Sequence, residues 1–230
     1  MENLFLRYMG ERMDQISSKH TRQGPVITIS RECGCPGNEI AEMLKARLNL
    51  KLVQEGHKPK WNWFNKEILL KASEELKMNP GDVDTFLKTK ESGMLQDLVN
   101  SFAETSYIKN SRIKKVIFDV IRNIALEGHT IIVGRGGGTI AWDIPKSLHV
   151  YLEAPLSWKT DIISQRKEMT TAQARKYVLE RDMQRSKFRD FFRAKFSDEI
   201  YYEQRFNCKS FTPDEICQLI FQAAELKKLV

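Results

Sequence analysis

The chain has 230 residues, 41% hydrophobic and 29% charged, which is enough for a sizeable core and excludes a disordered chain or a disulfide-stapled miniprotein. A formal net charge of +7 suits anionic partners, without saying whether they are nucleotides, nucleic acid or lipid. Four cysteines in so long a chain exclude a disulfide framework and fit a reducing compartment. Arg7, Glu11 and Arg12 interrupt any signal-peptide core, and nowhere do 18 uncharged apolar residues run together. The expectation is a cytoplasmic protein with no membrane partner.

Residues 1–24 read as an arm. Leu6, Met9, Met13 and Ile16 are spaced three, four and three apart, one stripe of a helix that packs on the body or on a second copy of the chain. A homodimer through this arm is the corresponding oligomer expectation. Ser17 to Gly24 is a polar linker. The body, 25–230, opens with the β-branched run Val26–Ser30, a buried strand. The loop Arg31–Gly37 follows, then a helix on Ile40, Met43, Leu44, Ala46 and Leu48. Asn49–Val53 reads as a second short strand.

Residues 54–127 read as mostly helical. Asn65–Lys77 is periodic through Ile68, Leu69, Ala72 and Leu76, and Asn79-Pro80-Gly81 breaks it. Weaker helical patterns cover 82–90 and 93–107. Ser111–Glu127 is the clearest helix, with Ser111 as its cap and Gly128 closing it. A strand at Thr130–Val133 runs into Gly134-Arg135-Gly136-Gly137-Gly138, and another at Leu148–Leu152 ends at Pro155. Helices are expected at about 156–167 and 171–187, and a last strand near Arg205–Cys208. Thr212-Pro213-Asp214-Glu215 spells a helix start, with Thr at the cap, Pro at the first turn and Glu at the third position. Strands alternating with helices predict a three-layer α/β fold, a parallel sheet covered on both faces.

Ligands of such sheets bind beyond the carboxyl ends of the strands. Two loops lie at such ends. Ser30–Asn38 joins strand to helix through Gly34 and Gly37, and its N–H groups with the helix N-terminus can cradle phosphate. A plain turn using the same glycines is the competing reading. The G-x-x-x-x-G-K-[ST] spacing is not met: no lysine follows Gly37, and Glu39 stands near the position of the magnesium-binding hydroxyl. In the second loop, Arg135 amid glycines can approach an anion without steric obstruction. Arg181, Arg185 and Arg189 recur every fourth residue on one helix face, with Asp182 beside them. Guanidinium groups on such a helix are what phosphoryl transfer uses, since its catalysis is positioning and charge neutralisation. A solvated basic face is the alternative.

Taken in order, these segments resemble one family. VITISRECGCPGNEIA (26–41) resembles the I-S-R-x-x-G-x-G-G-x-x-I-A opening of the cytidylate kinase-like family, a branch of the P-loop nucleoside monophosphate kinases. Phe64-Asn-Lys-Glu-Ile-Leu69 resembles the D-K-E-I-L segment that begins its acceptor-binding insert. Ile131–Gly138 resembles its strand plus G-R-G, Asp182-Met-Gln-Arg185 its lid D-x-x-R, and Phe206-Asn-Cys-Lys-Ser its closing N-T-x-x-x passage. The resemblance covers about 26–228. It implies a P-loop NTPase-type fold with a helical insert at about 54–110 and a lid at about 165–195.

The resemblance also implies phosphoryl transfer from ATP, with Mg2+, to a nucleoside monophosphate, CMP or dCMP being the family's acceptors. On it, Ser30, Arg31, Glu32, Cys33, Gly34, Cys35, Gly37, Asn38 and Glu39 form the ATP-phosphate loop. Arg135 contacts the acceptor, and Arg185 with Asp182 acts from the lid on phosphate or sugar; Arg181, on the same helix face by its spacing, is taken as a catalytic candidate with them. The chain departs from the family pattern at Pro36, Asn38, Asn65 and Lys159, and each change removes charge, a bidentate fork or a loop glycine. A nucleotide-binding protein of this fold without turnover is therefore the rival expectation.

Other features read more plainly. Cys33-x-Cys35 has no matching close pair in Cys208 and Cys217, so no metal site is expected. Trp61, Trp63 and Phe64 beside Lys58, Lys60 and Lys66 read as a loop covering the core, not a base-stacking surface, and no nucleic-acid partner is expected. His20, His57, His129 and His149 suggest no triad, and Phe188–Phe196 reads as a lid hinge.

Overall fold

The computed structural model describes residues 24–65, 103–193 and 202–230. The expected arm helix, the Asn65–Lys77 helix, the 82–90 helix and most of the 93–107 helix lie outside the described residues. The described elements are β1 (Val26–Arg31), α1 (Gly37–Gln54), β2 (Asn62–Phe64), α2 (Ala103–Glu127), β3 (Thr130–Val133) and α3 (Gly137–Ile140). They continue with β4 (Ser147–Glu153), α4 (Leu156–Lys167), α5 (Thr171–Arg193), β5 (Gln204–Asn207) and α6 (Pro213–Leu226).

All the described strand pairs are parallel, in the order β2-β3-β1-β4-β5. Alternation along the strands sends Ile27, Ile29, Ile131, Val133, Leu148, Val150 and Leu152 into a core shared with α1 and α6. Val26 and Ile132 face the other way, into a second core with Ile117, Ile121 and Ile124 of α2. Helices therefore cover both faces of the sheet, the three layers expected from the alternation of elements. The second face is partly polar around β1 and β4. There Thr28 and His149 share a buried hydrogen bond of 2.8 Å between Oγ1 and Nδ1, and the His149 backbone N–H donates to Glu203.

β1 is the central strand, and its chain leaves toward β2 on the α1 side of the sheet. β3 beside it passes to β4 through α3, on the opposite side. Where neighbouring strands send their connections to opposite faces, a crevice opens at their carboxyl ends. Ser30–Asn38 and Gly134–Gly138 border that crevice.

Several local expectations are corrected. Asn49–Val53 is not a strand but the last turns of α1: Leu48 and Leu52, four apart, are buried, while Leu50 and Val53 are exposed. The short segment Asn-Leu-Lys-Leu-Val fits either period, and the helical one prevails. The strand lies later, at Asn62–Phe64, within the aromatic stretch read as a covering loop; it pairs with β3, and Trp61 just before it is buried in the core. Ser111 does not cap α2, which begins eight residues earlier at Ala103. Gly128 does close it, with φ 76°. α5 continues to Arg193, so Phe188 belongs to a helix and to the second core, not to a hinge. Thr212 forms the expected capping box with Glu215, and Pro213 opens α6.

Candidate phosphate-binding site

Arg31 ends β1 and turns into the crevice. Its guanidinium lies against Gly134, where an added Cβ would overlap Nη1. Burial, followed by the nearby Arg185 and Arg135 charges, pulls its pKa down to about 9, so it remains a cation at neutral pH. Three guanidinium groups thus gather at one half-buried point. An anion placed among them would relieve that repulsion, and this is the electrostatic signature of a phosphate site.

The second loop is built around the same point. Gly134, Arg135 and Gly136 have φ of 72°, 54° and 72°, three successive left-handed residues. Arg135 is strained in that region, and such strain clusters at functional sites. Gly137, just beyond, starts α3; a Cβ on it would come within 2.6 Å of Ile132 Cγ2. The glycines let the turn press onto the sheet and present Arg135 at the carboxyl end of β3.

The first loop supplies backbone donors. α1 begins after Pro36, which offers no capping side chain; the Gly37 N–H turns back to the Cys35 carbonyl and Ile40 N–H to Pro36, so the amides of Asn38 and Glu39 are those a ligand can take. The Cys33 N–H donates to Asp182 Oδ1 at 2.6 Å, so the loop already addresses an anionic oxygen. Arg185 Nη1 donates to the Arg31 carbonyl at 3.0 Å, and Arg166 donates to the Gly34 carbonyl. Helix α5 is therefore seated on the loop through Asp182 and Arg185, as a lid would be.

Lys159, on the first turn of α4, joins the two parts. Its Nζ lies 2.8 Å from Glu32 Oε2 and 2.7 Å from Asp182 Oδ2, with only 8% of the side chain exposed. Burial alone would lower its pKa; the hydrogen bonds to Asp182 and Glu32 outweigh burial and hold it above its ordinary value. Glu32 also accepts from the Ala154 N–H. Its carboxylate thus braces the loop against β4 and α4.

The other predicted site residues fall as follows. Ser30 is buried on β1 beside Gly138. Gly34 has φ 86°, and Gly37 is buried under the Arg31 stem. Asn38 Oδ1 accepts from Asn65 Nδ2 at 3.0 Å, and Asn65 Oδ1 accepts from Arg31 Nη2 at 3.3 Å. Two positions that depart from the family pattern therefore pair with each other and orient Arg31. Glu39 is exposed in the first turn of α1. Arg181 lies over Tyr177 and bonds Gln184, and Arg189 lies over Tyr151, so of the three periodic arginines Arg185 alone is hydrogen-bonded to the loop. Cys35 turns away to pack against the apolar cluster that includes Cys208. The tie between Lys159, Glu32 and Asp182 was not legible beforehand, because its members lie far apart in sequence.

The donors fit a phosphate-bearing ligand. They do not form a cation site: among the described residues no three His, Cys, Asp or Glu side chains gather to hold a metal, and Glu32 and Asp182 are already tied to Lys159. Nor is any helix of the described residues long and apolar enough to cross a membrane.

Comparison with known proteins bears on the family and the fold. Residues 26–210 match the cytidylate kinase-like family. Among solved structures, an uncharacterized protein from Eubacterium ventriosum superposes with a TM-score of 0.59 at 19% identity, over 87% of this chain and 98% of that one, a likeness of fold. Shikimate kinase from Bacteroides thetaiotaomicron gives 0.44 at 10% identity over 87% and 98%, and TT1252 from Thermus thermophilus 0.43 at 12% over 89% and 98%. No curated protein matches the chain significantly.

Proposed function

The chain belongs to the cytidylate kinase-like family, with the P-loop α/β architecture, and from that premise we propose that it transfers a phosphoryl group from ATP to a nucleoside monophosphate, CMP or dCMP first among them. The observation that carries this reading is the half-buried Arg31 guanidinium, packed against Gly134 with Arg185 and Arg135 near it, a concentration of positive charge that suits a polyanion. The insert about 54–110 and the lid about 165–195 are the segments assigned to acceptor and closure.

ATP supplies the phosphoryl group, and any Mg2+ would enter on its phosphates. The chain's own part is to position and neutralise. The amides at Cys33 and the start of α1 orient the donor phosphates. Arg31, Arg135 and Arg185 offset charge that builds on the equatorial oxygens as an acceptor oxygen attacks in line. Asp182 moves off the Cys33 N–H when phosphate takes its place, and Lys159 keeps it near the loop. No protein nucleophile is needed. Failure of all common nucleoside monophosphates in a coupled ADP-release assay, together with no heat of ATP binding by calorimetry, would sink this proposal.

A second reading has its own observation. Asn38 and Asn65 form a neutral amide pair where the family pattern carries charge, and the lid carboxylate already occupies a loop amide. These features suit a nucleotide-binding protein without turnover. ATP binding with no product from any monophosphate favours it; turnover abolished by Arg185→Ala excludes it.

A further inference from the structure

α1 buries one face in the core through Ile40, Ala41, Leu44, Leu48 and Leu52. A helix so placed ordinarily turns a polar face to water. α1 departs from that. Leu50 is 58% and Val53 52% exposed, Ala46 is exposed, and Met43 is only partly buried. These four residues are spaced three, four and three apart, so they form one apolar stripe on the side of the helix away from the core. A row of that spacing is the seam by which one helix receives another.

The arm carries a row that matches it. Leu6, Met9, Met13 and Ile16 have the same spacing of three, four and three. At a rise of 1.5 Å per residue, each row is about 15 Å long, so four side chains can interdigitate with four. The arm also joins the body at the right place. Gly24, the first described residue, lines one cavity with Leu52 and Glu55 at the end of α1. The eight residues Ser17–Gly24 reach at most about 26–29 Å, enough to set Ile16 beside Val53. A second exposed apolar pair at helical spacing, Leu179 and Met183, flanks Asp182 on α5. Asp182 sits on the phosphate loop, at the opposite end of β1 from Gly24. Position therefore favours α1.

We propose that the outer face of α1 is the dock for the chain's own N-terminal arm, with Leu6, Met9, Met13 and Ile16 set against Met43, Ala46, Leu50 and Val53. The arm runs in the same direction as α1, and its linker turns back into β1. Met9 falls opposite Ala46, where a small side chain leaves room for an unbranched, adaptable one. A helix as short as the arm is marginal alone in water, and the contact removes from water the apolar groups that both rows would otherwise expose. The linker spans the distance within one chain, so no second copy is required. The inference stands whatever the crevice binds.

Hydrogen–deuterium exchange read by mass spectrometry on the full chain tests it. The amides of residues 6–16 should exchange at least ~10-fold more slowly than in the isolated arm peptide, and dilution should not change this. Leu50→Lys with Val53→Lys should return them to the peptide's rate while the amides of β1 and β3 keep their protection. If the lysines disturb folding, Leu50→Gln with Val53→Gln makes the same change without charge. Leu179→Lys with Met183→Lys should leave the arm protected. An unprotected arm in the wild type overturns the proposal, as does protection that survives the α1 substitutions or is lost with those on α5. Protection that fades on dilution makes a second copy the occupant and overturns it as well.

Discussion

Lys159→Met removes one ammonium and keeps most of its packed stem. In the wild type the charge lies 2.8 Å from Glu32 and 2.7 Å from Asp182. At an effective dielectric of about 20, each contact carries about 6 kcal/mol of attraction before desolvation is charged against it. The two carboxylates retain 23% and 20% exposure, so water relieves part of the loss. The net destabilisation then falls at the low end of the range for breaking a buried pair, about 3 kcal/mol. For a chain of this size that is roughly 6–12 °C in Tm, read by circular dichroism. Because the folded ammonium titrates above its ordinary 10.5, the stabilisation is complete below that pH and is lost only as pH rises through the folded value. The gap between wild type and variant should therefore persist through neutrality. In a Glu32→Gln, Asp182→Asn background the same substitution should cost less than about 1 kcal/mol, since neutral amides need no counter-charge. An equal cost in both backgrounds would show that Lys159 acts through packing, and the charge argument would fail.

Three more outcomes are expected. Gly134→Ala forces a Cβ into a left-handed residue and onto the Arg31 guanidinium, so ATP affinity should fall at least ~10-fold by calorimetry; an unchanged affinity means Arg31 does not face the ligand. His149 is buried and its pKa is lowered, so at acid pH the unfolded chain takes up a proton there that the folded chain refuses. Stability should decline as pH falls below 6.5, the ordinary value, and the decline between about pH 7 and about pH 5 should be shallower in His149→Asn; identical slopes would contradict this. Arg185→Ala should lower kcat by roughly 10³-fold in the coupled assay, as loss of a transition-state arginine does, and a loss under tenfold would confine it to holding the loop.

Much of the framework was readable because its signals are local. Val26–Ser30 has one short β-branched run between turn residues, and Thr212-Pro213-Asp214-Glu215 writes a helix start in four letters. Asn49–Val53 failed because five residues with Leu50, Leu52 and Val53 apolar satisfy both periods, and only the partners of Leu48 and Leu52 decide between them. β2 was missed because a strand of three residues is too short to show alternation; pairing with β3 makes it a strand. In the candidate site, Arg31, Arg135 and Arg185 could be singled out one at a time from glycine neighbours and helical spacing. Their convergence could not, nor could the Asn38–Asn65 pair or the Lys159 tie, because these join residues 23 to 154 positions apart.

The central place of β1 has a consequence for how the protein is made. β1 emerges from the ribosome well ahead of its neighbours β3 and β4, and Thr28 finds His149 only 121 residues later. At a synthesis rate of about 5–20 residues per second, that is a wait of roughly 6–24 s. For most of it the run Val-Ile-Thr-Ile-Ser is without its sheet neighbours, and such sequence-distant pairing is slow to form even when the chain is complete. A faster translation rate through residues 31–147 shortens that exposure and should raise the yield of native protein, read as the soluble fraction on expression.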